Sequence, residues 1–154
     1  MSVAGTVAKY LIDRGVAYDV VSHSPTERAS ASAETSHVSG DRLAKAVVLR
    51  GGDGFMLAVL PASRHIRFKE LRELLGSDVD MANEEQVETL FVDCEPGAVP
   101  PLGAAYGLDV IIDDSLERQP DVYFEGGDHA SLVHISGTSF QELMADARHG
   151  RFTD

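Results

Sequence analysis

Cysteine occurs only once, at Cys94, so no internal disulfide can form, and the usage fits a reducing, cytoplasmic setting. No stretch approaches the ~20 consecutive apolar residues that span a bilayer, so no membrane partner is expected. The N-terminal Met1-Ser2-Val3-Ala4-Gly5 has no basic region followed by an apolar one, so no secretory signal is expected. Positive charge is scarce. Thirteen Lys and Arg stand against 25 Asp and Glu, and the net charge of −12 argues against loose binding of polyanions such as DNA. There is no Walker loop, no GxGxxG and no GxSxG elbow. The six histidines show no HExxH or other ligand spacing, and Cys94 has no CxxC partner, so neither a metal nor another cofactor is expected.

The 154 residues suffice for one domain with a core, and no repeat, low-complexity tract or linker divides residues 1–154. Near-helical apolar spacing over Val3 to Arg14 predicts a helix stopped by Gly15. Ala17 to Val21 reads as a strand and Ala29 to Val38 as a short helix. Leu43 to Arg50 and Phe55 to Leu60 flank Gly51-Gly52-Asp53-Gly54, a strong hairpin signal. Phe68 to Leu75 predicts a helix closed by Gly76. Asn83 with Gln86 resembles a capping box, so Glu84 to Leu90 is expected to be helical. Strands are expected at Asp109 to Asp113, Val122 to Phe124 and Leu132 to Ser136. Ser139 with Glu142 reads as a second capping box, opening a helix through Ala147. This interleaving predicts a single α+β domain with a mixed sheet.

The strand Leu43-Ala44-Lys45-Ala46-Val47-Val48-Leu49 carries one charge. Alternation puts Lys45 on a face with Leu43, Val47 and Leu49, while Ala44, Ala46 and Val48 line the other. Both faces are apolar, which predicts a strand covered on both sides. A lysine there either snorkels out or meets an anion, since burying an unpaired ammonium is costly. That anion is a carboxylate of the protein or a phosphate of a ligand.

Charge is also unevenly spread. Residues 42 to 72 hold Arg42, Lys45, Arg50, Arg64, Arg67, Lys69 and Arg72 against Asp53 and Glu70, so this segment carries +5 and the rest −17. It is either a solvated mixed surface or a local anion-binding face.

Two loops stand out. Pro96-Gly97-Ala98-Val99-Pro100-Pro101-Leu102-Gly103 loses three backbone donors to proline, and Gly97 is free to adopt angles closed to other residues. The N–H groups that remain suit an anion or a polarised carbonyl, although a rigid connecting turn needs the same residues. Gly126-Gly127-Asp128-His129 reads as a hairpin turn from which His129 can project.

Together these segments resemble the YbaK/ProX family of aminoacyl-tRNA deacylases, which includes the editing domain inserted in bacterial prolyl-tRNA synthetases. Val16 to His23 is similar to the family's first strand and Leu43 to Leu49 to its lysine strand. Gly97-Ala98-Val99-Pro100-Pro101 is similar to its GxxxP loop, and Leu108 to Asp113 to the following strand. Tyr123-Phe124-Glu125-Gly126-Gly127-Asp128-His129 is similar to its glycine-histidine turn. Ala46 follows the lysine where some subfamilies carry a polar residue.

The resemblance implies a twisted mixed sheet, a pseudo-barrel, surrounded by helices. It implies hydrolysis of the ester between a wrong amino acid and the tRNA 3′ end, a small non-cognate residue on tRNA(Pro), with the substrate's 2′-hydroxyl assisting. Lys45 would hold the phosphate and ribose end, and Gly97 would offer backbone amides to the scissile carbonyl. His129, Tyr18, His23, Gly127 and Pro101 would form the substrate pocket, and Arg42, Arg64 and Arg67 would bind tRNA. The partners implied are an aminoacylated acceptor end and prolyl-tRNA synthetase. A non-catalytic binding module with the same pocket is the main alternative, and a metallohydrolase a weaker one.

Overall fold

The Gly51 to Gly54 signal makes a hairpin. In the computed structural model, which describes residues 2–25, 32, 36–52 and 54–154, β2 (Leu43–Gly51) and β3 (Gly54–Pro61) pair antiparallel from Gly51↔Gly54 to Ala44↔Pro61. The sheet grows around this hairpin. It adds β1 (Asp19–Ser22), β4 (Asp80–Met81), β5 (Asp109–Asp113), β6 (Asp121–Glu125), β7 (Ser131–Ser136) and β8 (Arg148–Gly150). The order is β1-β7-β6-β2-β3-β5-β8, with β4 on β2 off this path. β2 runs parallel to β6, and β5 parallel to β3 and β8; the remaining pairs are antiparallel. The sheet is therefore mixed, in a single α+β domain.

One irregularity positions the site. The edge of β2 that faces away from β3 is shared by two strands. β6 takes Leu43 and Ala44, and β4 takes Leu49 and Arg50. Residues 45–47 lie between these contacts, and they are the half-buried positions in the first seven residues of the strand. Arg42 O accepts from Tyr123 N at 2.8 Å and Val48 O from Ala82 N at 2.9 Å. Backbone groups alternate along a strand, so Ala46, which shares their parity, turns its N–H and C=O toward the opening. The sheet splits beside Lys45.

Both faces of β2 are covered, as its composition predicts. Ala44 and Val48 join the main core with Leu57, Val59, Ile112, Phe124 and Phe140. On the other face, Leu49 packs with Leu60, Leu71, Ile111 and Phe152, while Leu43 packs with Ala62 and Leu132. Lys45 stands between these two smaller clusters, opposite Leu60 of β3.

The helices follow local signals. α1 (Gly5–Asp13) buries Val7 and Leu11, and Gly15 follows at φ +66°. α2 (Phe68–Leu75) buries Leu71 and ends at Gly76, φ +64°, where a left-handed residue favours glycine. α3 (Glu84–Leu90) has the expected capping box: Gln86 N donates to Asn83 Oδ1 at 2.8 Å, and Asn83 N donates to Gln86 Oε1 at 2.9 Å. No helix among the described residues is long and apolar enough to cross a membrane.

Several expectations are corrected. α4 is Gly137–Leu143, not a helix opened by Ser139 with Glu142. Its cap is Ser136, whose Oγ accepts from Ser139 N at 3.1 Å, so the chain passes from β7 straight into the helix. Gly137 permits that passage, since a Cβ there would sit 1.9 Å from Gln119 O. β1 starts two residues later than expected, and β4 and β8 are additional short strands. The helix expected over Ala29 to Val38 falls largely on 29–31 and 33–35, outside the described residues.

Candidate active site

The split in the sheet opens into a cleft of about 680 Å³. Lys45 enters it from β2, Gly97 and Val99 from the proline-rich loop, and Glu125 and His129 from the end of β6 and the turn after it. Leu43, Ala62 and Leu132 supply apolar wall, and Ser63 and His65 stand at its border. A second lobe of about 450 Å³ continues past Gly97 and Val99 to Val87, Glu84 and Glu88 on α3.

Lys45 is half-buried and makes no hydrogen bond or ion pair among the described residues. Burial pulls its pKa below the ordinary lysine value of 10.5, and the negative charge of Asp154 partly opposes this. Among the described residues, then, no structural ion pair engages the ammonium.

The loop opposite is rigid in a particular way. Gly97 has φ +81°, the left-handed region that favours glycine. Ala98 N donates to Glu95 O at 2.9 Å, but the N–H groups of Gly97 and Val99 meet no acceptor among the described residues. A Cβ added at Gly97 would lie 3.7 Å from His129 Cε1, an ordinary contact. Backbone angle, rather than crowding, is what requires glycine there.

Two bonds tie this loop to the histidine turn. Glu95 N donates to Gly127 O at 2.8 Å, and His129 Nε2 donates to Pro96 O at 2.6 Å. A carbonyl only accepts, so Nε2 carries a proton. His129 holds φ +61°, uncommon for a residue with a side chain. The surrounding turn enforces it. Glu125 Oε1 accepts from the N–H of Gly127 at 2.9 Å, Asp128 at 3.1 Å and His129 at 3.0 Å. Buried Asp128 accepts from Ala130 N, Ser131 N and Ser131 Oγ, so it serves the turn and is not paired with His129 for chemistry.

Lys45, Gly97 and His129 are thus brought together, and the other expected site residues are not among those lining the cleft. Tyr18 packs against the main core. His23 Nδ1 donates to Ser24 O at 2.7 Å, while its Nε2 is buried and meets no partner among the described residues. Pro101 is buried, and a Cβ on buried Gly127 would lie 2.9 Å from Ala4 Cβ and 3.2 Å from Cys94 Sγ, so that glycine packs inward. Arg42 is exposed on the strand approach, and Arg67 lies 3.8 Å from Glu70. Arg64 lines a separate polar cavity of about 520 Å³ with Arg118 and Arg151 beside Asp113, Asp114 and Glu117.

Cys94 lines neither lobe of the cleft. Burial and neighbouring Asp93 push its thiol up to about 11, which keeps it protonated and a poor nucleophile. Away from the cleft, Asp114, Glu117 and His149 offer ligand atoms within 4.8 Å of one another, a juxtaposition that sequence spacing did not reveal. Sequence reasoning also assigned no role to Glu125. Its signal was present, a carboxylate directly before Gly126-Gly127, where successive amide groups turn back on one acceptor.

A family model described as an aminoacyl-tRNA editing domain matches residues 23–143. No curated protein sequence gives a significant match. Among solved structures, a candidate trans-editing enzyme for prolyl tRNA synthetase superposes with TM-score 0.85 at 23% identity, covering 99% of each chain. A hypothetical protein superposes with TM-score 0.83 at 22% identity, covering 97% of this chain and 99% of that one. A candidate signal transduction protein from Marinobacter aquaeolei VT8 gives 0.81 at 18% identity, with 99% of this chain matching 31% of it. At these identities the structures establish a shared fold.

Proposed function

Because this chain belongs to the aminoacyl-tRNA editing domain family, we propose that it is an aminoacyl-tRNA deacylase, hydrolysing mischarged tRNA in trans. The single observation that carries this reading is the cleft itself. Lys45 of β2 and the loop carrying Gly97 and Val99 line one cleft, and among the described residues neither the ammonium nor the N–H groups of Gly97 and Val99 are spent on a partner. That pairing suits an ester whose alcohol side bears a phosphodiester and whose carbonyl must accumulate charge.

In this reading Lys45 holds the phosphate and ribose of the terminal nucleotide. Water attacks the ester carbonyl carbon, and the oxygen that becomes anionic is met by the N–H groups of Gly97 and Val99. Fixed donors of this kind act at the moment charge develops and need no reorganisation. The C–O bond to the ribose then breaks, and the ribose oxygen takes the proton given up by the attacking water, so that free amino acid and a ribose hydroxyl result. The substrate's neighbouring 2′-hydroxyl orients the water, so no side-chain nucleophile is required, in keeping with a Cys94 thiol that is protonated and outside the cleft. His129 keeps the amide loop in place through Pro96.

The substrate is a small amino acid on tRNA(Pro), in partnership with prolyl-tRNA synthetase in the cytoplasm. The structural neighbour of that description supports the choice of tRNA, and the apolar wall of Leu43, Ala62 and Leu132 supports an uncharged side chain. A single-turnover deacylation screen tests the proposal with alanyl, seryl, cysteinyl and prolyl esters on tRNA(Pro) and on tRNA(Ala). Rapid release of a non-cognate amino acid from tRNA(Pro), with prolyl-tRNA spared, is the expected result. Binding of every aminoacyl-tRNA without hydrolysis of any would make the chain a recognition module instead.

A further inference from the structure

Glu125 is a charged group of the cleft with no part in the chemistry above. It ends β6, and its side chain folds back under the following turn, where Oε1 accepts three amide protons at 2.9, 3.1 and 3.0 Å. Those bonds fix the orientation of the carboxylate. No donor among the described residues reaches Oε2, and no ion pair joins Glu125 to Lys45, although both line the same cleft.

The charge is more than the turn requires. A glutamine carbonyl can accept the same amide protons, because accepting needs a lone pair and not a negative charge. The carboxylate is half-buried in the cleft beside Leu132 and Ala62, and its Oε1 is satisfied by the turn while its Oε2 is left for a donor or cation that enters. Among the described residues Lys45 does not fill that role, and Lys45 and Glu125 line the cleft unpaired together with Gly97 and Val99.

The aminoacylated end of a tRNA has the complementary pattern. A phosphodiester lies on one side of the ester, an α-ammonium lies on the other, and the scissile carbonyl sits between them. We propose that Glu125 Oε2 receives the α-ammonium of the substrate, so that the cleft selects an amino acid ester over the matching hydroxy acid ester. The inference rests on the editing reading for the identity of the ligand. It adds a binding residue that fixes which end of the acyl group faces the turn.

The test compares the full chain with Glu125→Gln, which keeps an acceptor for the turn and removes the charge. The probes are two non-hydrolysable adenosine 3′-amides, one alanyl and one lactyl, titrated calorimetrically at pH 6.5, below the ~7.7 of a free α-amino group. The wild type should bind the alanyl probe roughly tenfold or more tightly than the lactyl probe, the scale of a charge-assisted hydrogen bond. In Glu125→Gln that ratio should collapse toward one, with lactyl affinity held within about twofold. Single-turnover hydrolysis of alanyl- and lactyl-tRNA(Pro) should show the same collapse. A wild type without preference overturns the inference. So does a variant that keeps the preference, or one that loses both probes equally, which would make Glu125 a support for the turn alone. If the wild type prefers the alanyl amide yet hydrolyses no ester, the ammonium site stands and the deacylase reading fails.

Discussion

His129 donates its Nε2 proton to the carbonyl of Pro96 at 2.6 Å, joining two loops that lie 33 residues apart in sequence. The bond leaves the imidazole facing the cleft edge and steadies the chain immediately before Gly97. In the proposed mechanism the histidine acts by holding the amide donors.

His129→Asn separates this role from backbone geometry. Asparagine tolerates the left-handed angle of this position but cannot span to Pro96. The melting temperature should change little, while single-turnover hydrolysis falls by roughly tenfold, the scale of one lost hydrogen bond felt at the barrier. An unchanged rate in His129→Asn would remove the histidine from the mechanism.

Lys45 makes a pH prediction whose sign follows from its surroundings. Burial lowers its pKa below 10.5, so the ammonium is lost at a lower pH than for a free lysine. In the proposed mechanism the cation is the form that holds phosphate. Affinity for a non-hydrolysable aminoacyl-tRNA analogue should therefore decline as pH rises through that lowered value. Asp154 raises the pKa, so Asp154→Asn should move the decline to still lower pH. Lys45→Ala should remove the decline together with most of the deacylation while the fold persists, which circular dichroism would verify.

The basic segment of residues 42 to 72 divides into committed and uncommitted cations. Arg72 donates to Val79 O at 3.0 Å and to Asp80 at 2.7 Å, fastening α2 to β4. Among the described residues Arg64 pairs with no side-chain carboxylate and donates to Asp154 O at 3.2 Å. Arg64→Ala should weaken tRNA binding and lower the slope of log affinity against log salt by about one, as one phosphate contact disappears. Arg72→Ala should cost stability and leave the slope alone. Equal slopes in the wild type and Arg64→Ala would place tRNA elsewhere.

What the sequence disclosed depended on how local the determinant was. Gly76 closing α2 and the Asn83–Gln86 box opening α3 are set by neighbours in the chain, and both were legible. Ser136 was not, because Ser139 and Glu142 imitate the same box three residues on and strand runs directly into helix. β4 and β8 have two and three residues, too short for any alternation, and exist because β2 and β5 offer them edges. Lys45 was legible as a misfit on an apolar strand. The opening that gives it access was not, since the split between β6 and β4 is a property of the sheet. Arg64 and Arg67 look equivalent in sequence, yet one lines a polar cavity and the other stands beside Glu70.

Cys94 supplies a control. Its thiol lies 3.4 Å from Tyr106 Oη and is held protonated. Cys94→Ala should leave single-turnover hydrolysis within a few-fold of wild type, under ~1 kcal/mol in barrier. A hundredfold loss in that variant would restore the thiol as a nucleophile.

Gly97 carries the sharpest test of the amide loop. Its φ of +81° disfavours a side chain by roughly 1–2 kcal/mol, even though a Cβ would meet His129 only at 3.7 Å. Gly97→Ala should therefore relieve strain by rotating the backbone and turning the N–H groups of Gly97 and Val99 off the carbonyl. Loss of one well-placed oxyanion donor costs ~2.7–4 kcal/mol, a hundredfold or more in rate. Affinity for a non-hydrolysable analogue should change far less, because Lys45 and Glu125 remain in place at the cleft. Single-turnover hydrolysis and analogue binding must be measured on the same preparation. A matched fall in both would mean that the loop recognises the substrate and does not stabilise its oxyanion. A fall in rate alone would assign the loop to the transition state, and Gly97 to the geometry that makes it possible.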